Sequence, residues 1–138
     1  MNILIVEDDR RARNLLFDMI NSMGNHDVSV LTNGRNAVAL LADPEHNFDL
    51  VFLDLHMPRM DGQDVIQILS DIVKINIVVI TGDASRFPNL PSHIPVISKP
   101  YTHSMISALL IKTDAPRVRR NRNALLRLEH LSLLSNSD

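Results

Sequence analysis

The chain has 138 residues, 45% apolar and 22% charged, a length and balance that fit one globular domain with a sizeable core. It has no cysteine, which excludes a disulfide framework and any thiolate-bound metal. The net charge of −2 divides unevenly: residues 1–113 hold 9 Lys/Arg against 13 Asp/Glu, and residues 114–138 hold 5 Arg against 3 Asp/Glu, so the acidic body does not suit nucleic acid. No apolar run nears the ~18 residues of a membrane span. The start, Met-Asn-Ile-Leu-Ile-Val-Glu-Asp-Asp, lacks the basic segment of a signal peptide. A cytoplasmic protein without a membrane partner is expected.

Ile3 to Val6 is a continuous apolar run, which predicts a central parallel strand, and it ends in Glu7-Asp8-Asp9. A helix is predicted from Arg10 to Met23, with Asp9 as its N-cap, Leu15, Leu16, Met19, Ile20 and Met23 on its inner face, and Gly24 at its C-terminal stop. Val28 to Leu31 is shorter and partly polar, as an edge strand would be. Asn33-Gly34 reads as a turn. Ala37, Val38, Leu40 and Leu41 predict a second helix, stopped by Asp43-Pro44.

Leu50 to Leu53 predicts the third strand, delivering Asp54 to a loop that contains His56, Met57-Pro58 and Asp61-Gly62. Val65, Ile66, Leu69 and Ile72 fit the inner face of a third helix. Ile77 to Ile80 predicts the fourth strand, ending in Thr81-Gly82-Asp83. Pro88, Pro91 and Pro95 then forbid a long fourth helix. Pro95 to Ser98 predicts a short edge strand before Lys99-Pro100-Tyr101. A last core helix, Thr102 to Lys112, would bury Met105, Ile106, Leu109 and Leu110. Repeated βα units imply an α/β fold, a doubly wound five-stranded parallel sheet. Two double-sided central strands beside the first, and two edge-like ones, fit the order 2-1-3-4-5.

In that order Glu7, Asp8, Asp54, Thr81 and Lys99 all leave strands at one rim, with neighbouring strands about 4.8 Å apart. Close carboxylates repel and favour a hard divalent cation such as Mg²⁺ (or Mn²⁺), which takes oxygen ligands. Such an ion beside Asp54 favours an approaching phosphoryl group. Lys99 would then supply a counter-charge, Thr81 a hydroxyl, and Asp54 a nucleophile.

This set, Glu7-Asp8, Asp54 with Met57-Pro58 and Asp61-Gly62, Thr81-Gly82 and Lys99-Pro100-Tyr101, resembles the receiver domain of two-component response regulators over residues 1–113. The resemblance implies a flavodoxin-like fold. It also implies a phosphorylation-controlled switch in which Asp54 accepts a phosphoryl group from a phosphohistidine of a sensor histidine kinase or histidine phosphotransfer protein. Mg²⁺ would be held by Asp8, Asp54 and the backbone carbonyl of His56, with Glu7 acting mainly through water. Thr81 and Lys99 would contact the phosphoryl group, and Tyr101 matches the aromatic that turns inward with the threonine. The Lys99-Pro100 bond is typically cis in this family. His56, Gly82 and Asp83 would flank the phosphoryl group. A paired His56 and Asp83 would tune its lifetime, with a pH dependence set by the imidazole.

Such a domain is no enzyme beyond catalysing its own phosphorylation and dephosphorylation. The competing reading is a Mg²⁺-dependent phosphohydrolase with an Asp nucleophile; those enzymes place a second acid two residues on, where this chain has His56. Thr81 and Lys99 stand 18 positions apart, a shorter interval than receivers usually show, so the fourth helix is expected to be truncated and the family's dimer through it is in doubt. Residues 114–138 lie outside the pattern, and no separate output domain is expected. This extension reads as a helical segment with Arg117, Arg119, Arg120 and Arg122 before Leu125, Leu126, Leu128, Leu131, Leu133 and Leu134. It is a candidate for docking a downstream protein target or for forming a homodimer.

Overall fold

Runs rich in Val, Ile and Leu form one parallel sheet in the structure, a computed structural model that describes residues 1–57, 64, 66–67 and 76–114. Its strands are β1 (Asn2–Val6), β2 (Asp27–Leu31), β3 (Leu50–Asp54), β4 (Asn76–Thr81) and β5 (Val96–Ser98). Their spatial order is β2-β1-β3-β4-β5, as expected, and every pairing is parallel.

Side chains alternate across a strand, so each central strand feeds two cores. Leu4, Val6, Val51, Leu53, Ile77 and Val79 face one side, where Ala37 and Leu41 of helix α2 (Gly34–Ala42) and Ile66 cover them. Ile3, Ile5, Leu50, Phe52, Val78, Ile80 and Ile97 face the other side. Leu16 and Ile20 of helix α1 (Arg10–Asn21) cover them there, together with Ile106 and Leu110 of the helix at 103–114. Each fully buried Leu or Ile of this kind contributes about 1.5–3 kcal/mol by leaving water. The two faces thus clamp β1, β3 and β4 and fix the positions of their carboxyl ends.

The helix ends follow local chemistry. Asp9 caps α1 by accepting the Arg11 N–H at 3.1 Å, as expected. The helix stops at Asn21, earlier than the expected Met23: the Ser22 hydroxyl donates to the Met19 carbonyl at 2.7 Å, and the Met23 N–H closes a tighter turn on the Ile20 carbonyl at 3.0 Å. Gly24 follows with φ +140°, a backbone region that favours glycine. Asn33-Gly34 is not a free turn: Asn33 caps α2 through the Arg35 N–H at 2.8 Å, and Gly34 is its first residue. Asp43 leaves α2 in an extended conformation, as a residue before proline must.

Two expected core positions are corrected. Leu15 is 58% exposed and Met105 42% exposed. Each lies about 100° round its helix from a buried neighbour, Leu16 or Ile106, and helices covering a sheet bury only one stripe. The connection from β4 to β5 holds a single 3₁₀ turn, Ala84–Arg86, in place of a fourth helix, in line with its three prolines. β5 itself is shorter than expected, although the Pro95 carbonyl still accepts from the Val79 N–H at 2.9 Å. Thr102 caps the last helix by accepting the Met105 N–H, and that helix runs to residue 114. Residues 64, 66 and 67 are helical. The rest of the expected third helix, the Pro58-to-Gly62 loop and the extension from 115 onward lie outside the described residues. No helix among the described residues is long and apolar enough to cross a membrane.

Candidate functional site

Sheet register sets the site. Val6 pairs with Leu53, so Glu7 emerges level with Asp54; Asp54 pairs with Ile80, so Thr81 emerges one residue beyond; Thr81 pairs with Ser98, so Lys99 emerges next. The Lys99 N–H donates to the Thr81 carbonyl at 2.8 Å and carries the ladder one step past β5. The Lys99-Pro100 peptide is cis.

The carboxylates of Glu7, Asp8 and Asp54 each offer an oxygen within 4.8 Å of the others. Glu7 and Asp54 are buried, and Asp8 is the most accessible of the three. Two buried acids side by side are costly unless a cation joins them. Lys99 is that cation here: its Nζ donates to Glu7 Oε2 at 3.1 Å and lies 3.8 Å from Asp54 Oδ2. Burial raises the Glu7 carboxyl from 4.5 to about 7, the Asp54 carboxylate pushes the same way, and Lys99 opposes them. An all-oxygen donor set with excess negative charge is what a hard divalent cation takes, so these residues fit Mg²⁺.

The surrounding groups are held by short-range bonds. The Asp9 N–H donates to Glu7 Oε1 at 3.2 Å, and the His56 N–H donates to Asp54 Oδ1 at 3.0 Å. Thr81 is wholly buried, and its Oγ1 accepts the Asp83 N–H at 3.2 Å. A Cβ built on Gly82 would meet nothing within 4 Å, so the rim beside Thr81 is open. Tyr101 is half-buried against the core on the α1 side; burial raises its phenol above the usual 10.0, and the Glu7 charge adds to this.

Glu7, Asp8, Asp54 and Lys99 are therefore brought together, with Thr81 beside them. His56 and Asp83 share no direct hydrogen bond, although the His56 charge helps lower the Asp83 carboxyl. Asp83 binds the Ser85 hydroxyl and N–H and lies 3.7 Å from Arg86 Nε, contacts that hold its carboxyl below the usual range. The His56 ring instead meets Phe87. Asp83 caps the 3₁₀ turn, so its carboxylate bonds chiefly within its own loop, and the His56 charge is a weaker influence on it. Two residues escaped the sequence reading. Arg13 donates from Nη1 to the carbonyls of Glu7 (3.2 Å) and Asp8 (3.4 Å), steadying the acidic loop. Phe87 is the other, and no local pattern marks it.

The family model for the response regulator receiver domain matches residues 3–90, ending in the β4–β5 connection before Lys99. The response regulator receiver protein CpdR of Brucella abortus is 35% identical over 104 residues, 72% of this chain and 84% of that protein. The protein-glutamate methylesterase/protein-glutamine glutaminase of Nitrosospira multiformis is 31% identical over 83 residues, 59% of this chain and 23% of that protein. The chain spans only 23%, 21% and 31% of the length of the first three curated relatives it matches. Among solved structures, a CheY-like receiver domain from Methylobacillus flagellatus superposes with a TM-score of 0.72 at 19% identity, covering 82% of this chain and 98% of that one. The response regulator TrrA from Thermotoga maritima, in complex with Mg²⁺-BeF, gives 0.71 at 24% identity, covering 81% and 97%. At these identities the structural matches speak to the fold alone.

Proposed function

The chain belongs to the response regulator receiver domain family of two-component signalling, and from that premise we propose that Asp54 is the phosphoacceptor of a phosphorylation-controlled switch. The observation that carries the reading is the buried Asp54 carboxylate clustered with Glu7 and Asp8, with the Lys99 ammonium 3.8 Å from Asp54 and bonded to Glu7. The donor is a phosphohistidine of a sensor histidine kinase or histidine phosphotransfer protein. Its N–P bond breaks as an O–P bond forms to Asp54, giving an acyl phosphate.

Asp8, Asp54 and the His56 carbonyl would hold Mg²⁺ or Mn²⁺, with Glu7 acting through water. When bound, the ion neutralises charge on the phosphoryl oxygens. Lys99 exchanges its bond to Glu7 for one to the phosphoryl group. Thr81 exchanges the Asp83 N–H for a phosphoryl oxygen, and Tyr101, next to the same rim, follows inward. His56, Gly82 and Asp83 flank the group. Residues 1–113 form the phosphoacceptor unit, and residues 114–138 form an Arg- and Leu-rich extension that contacts a downstream protein or a second copy. The reaction is the protein's own phosphorylation and dephosphorylation.

Incubation with Mg²⁺ and acetyl phosphate, followed by intact mass, tests the reading. One added phosphoryl group that is lost in Asp54→Asn is the expected result. No uptake by the native protein overturns it, and steady turnover of a phosphomonoester would reassign the site to a phosphohydrolase.

A further inference from the structure

The shortened β4–β5 connection places an aromatic side chain against the loop that follows Asp54. The rings of His56 and Phe87 meet edge to face, with centroids 5.5 Å apart and planes at 71°. His56 is tied to the acceptor residue, since its N–H donates to Asp54 Oδ1 at 3.0 Å. Phe87 is tied to the other loop. Its N–H donates to the Ala84 carbonyl at 3.1 Å, and its side chain packs half-buried against the core on the α2 side. The turn it closes begins at Asp83, whose N–H donates to Thr81 Oγ1. Asp54 and Thr81 end neighbouring strands, so the ring pair spans the loops leaving β3 and β4, beside the acceptor carboxylate. His56 is exposed, and its ring packs edge to face on Phe87.

We propose that Phe87 is a positioning residue for the Asp54 site: it holds the His56 ring across the ends of β3 and β4 and limits the access of water to phosphorylated Asp54. The inference rests on the reading of Asp54 as the phosphoacceptor. The step it controls is hydrolysis. A water oxygen bonds to phosphorus, the P–O bond to Asp54 breaks, the carboxylate is regenerated, and inorganic phosphate leaves with the water's proton shared between it and solvent. Losing an edge-to-face pair predicts a change of roughly two- to tenfold in the rate of that step.

The test uses the full chain loaded with acetyl phosphate and Mg²⁺, cleared of donor, and followed by intact mass. Phe87→Leu, which keeps an apolar side chain on the core, should lose the phosphoryl group roughly two- to tenfold faster than the native protein. Phe87→Tyr should retain the native rate. His56→Ala, at an exposed position, should reproduce the acceleration without disturbing Phe87 packing, and adding Phe87→Leu to it should change nothing more. That coupling separates positioning from general loosening. An unchanged rate in Phe87→Leu or His56→Ala, or equal acceleration by Phe87→Leu with and without His56, overturns the inference and leaves the acceptor role standing. Failure of the native protein to take up the group overturns both.

Discussion

Glu7 offers a direct measure of the electrostatics of the site. In the metal-free protein burial and Asp54 hold its carboxyl at about 7 against 4.5 when unfolded. The folded state therefore binds this proton more tightly than the unfolded chain does. The stabilisation is complete below pH 4.5, declines between pH 4.5 and about 7, and is gone above that. At about 1.36 kcal/mol per pH unit, the gap between those two values is worth ~3 kcal/mol. Glu7→Gln keeps a hydrogen-bond acceptor for Lys99 and removes the titration. Urea unfolding in EDTA across this range should show a loss of stability with rising pH in the native protein. Most of that loss should vanish in Glu7→Gln, so that the variant is the more stable of the two above pH 7. Native stability that is flat or rises over the range, or a Glu7→Gln profile parallel to the native one, refutes the reasoning.

Tyr101 is the single tyrosine of a chain without tryptophan, so absorbance titration reads it alone. Its midpoint should lie above 10.0, and a midpoint at or below that value contradicts the burial described for it. Phe52, only 1% exposed at the centre of the sheet, should cost about 3–5 kcal/mol on replacement by alanine, measured by urea unfolding. Gly82→Ala introduces a Cβ into open space and should change stability by less than about 0.5 kcal/mol. It should nevertheless slow phosphoryl uptake, because the methyl group occupies the rim beside Thr81.

The sheet was legible because β1, β3 and β4 are continuous apolar runs, and their ends carry Glu7, Asp54 and Thr81 in an order that topology brings to one rim. The truncated fourth helix was legible from three prolines in a short interval. What escaped depends on distances that no local pattern encodes. The Lys99–Glu7 bond joins residues 92 positions apart, and the sequence indicates only a shared rim. Leu15 and Met105 fit an apolar helical face, but how wide a stripe the sheet covers is a tertiary property. His56 and Asp83 stand at matching offsets from Asp54 and Thr81, which suggested a pair. Asp83 does feel the His56 charge, but its direct partners are Ser85 and Arg86, close by in sequence, and the His56 ring packs on Phe87.

The most direct test of the central claim locates the phosphoryl group chemically. An acyl phosphate, unlike a phosphoester, is reduced by borohydride to an alcohol. After exposure to Mg²⁺ and acetyl phosphate, borohydride treatment and peptide mapping should find homoserine at position 54 and at no other acidic residue. Reduction at Glu7 or Asp8, or a phosphoryl group that resists borohydride, would contradict the assignment of Asp54.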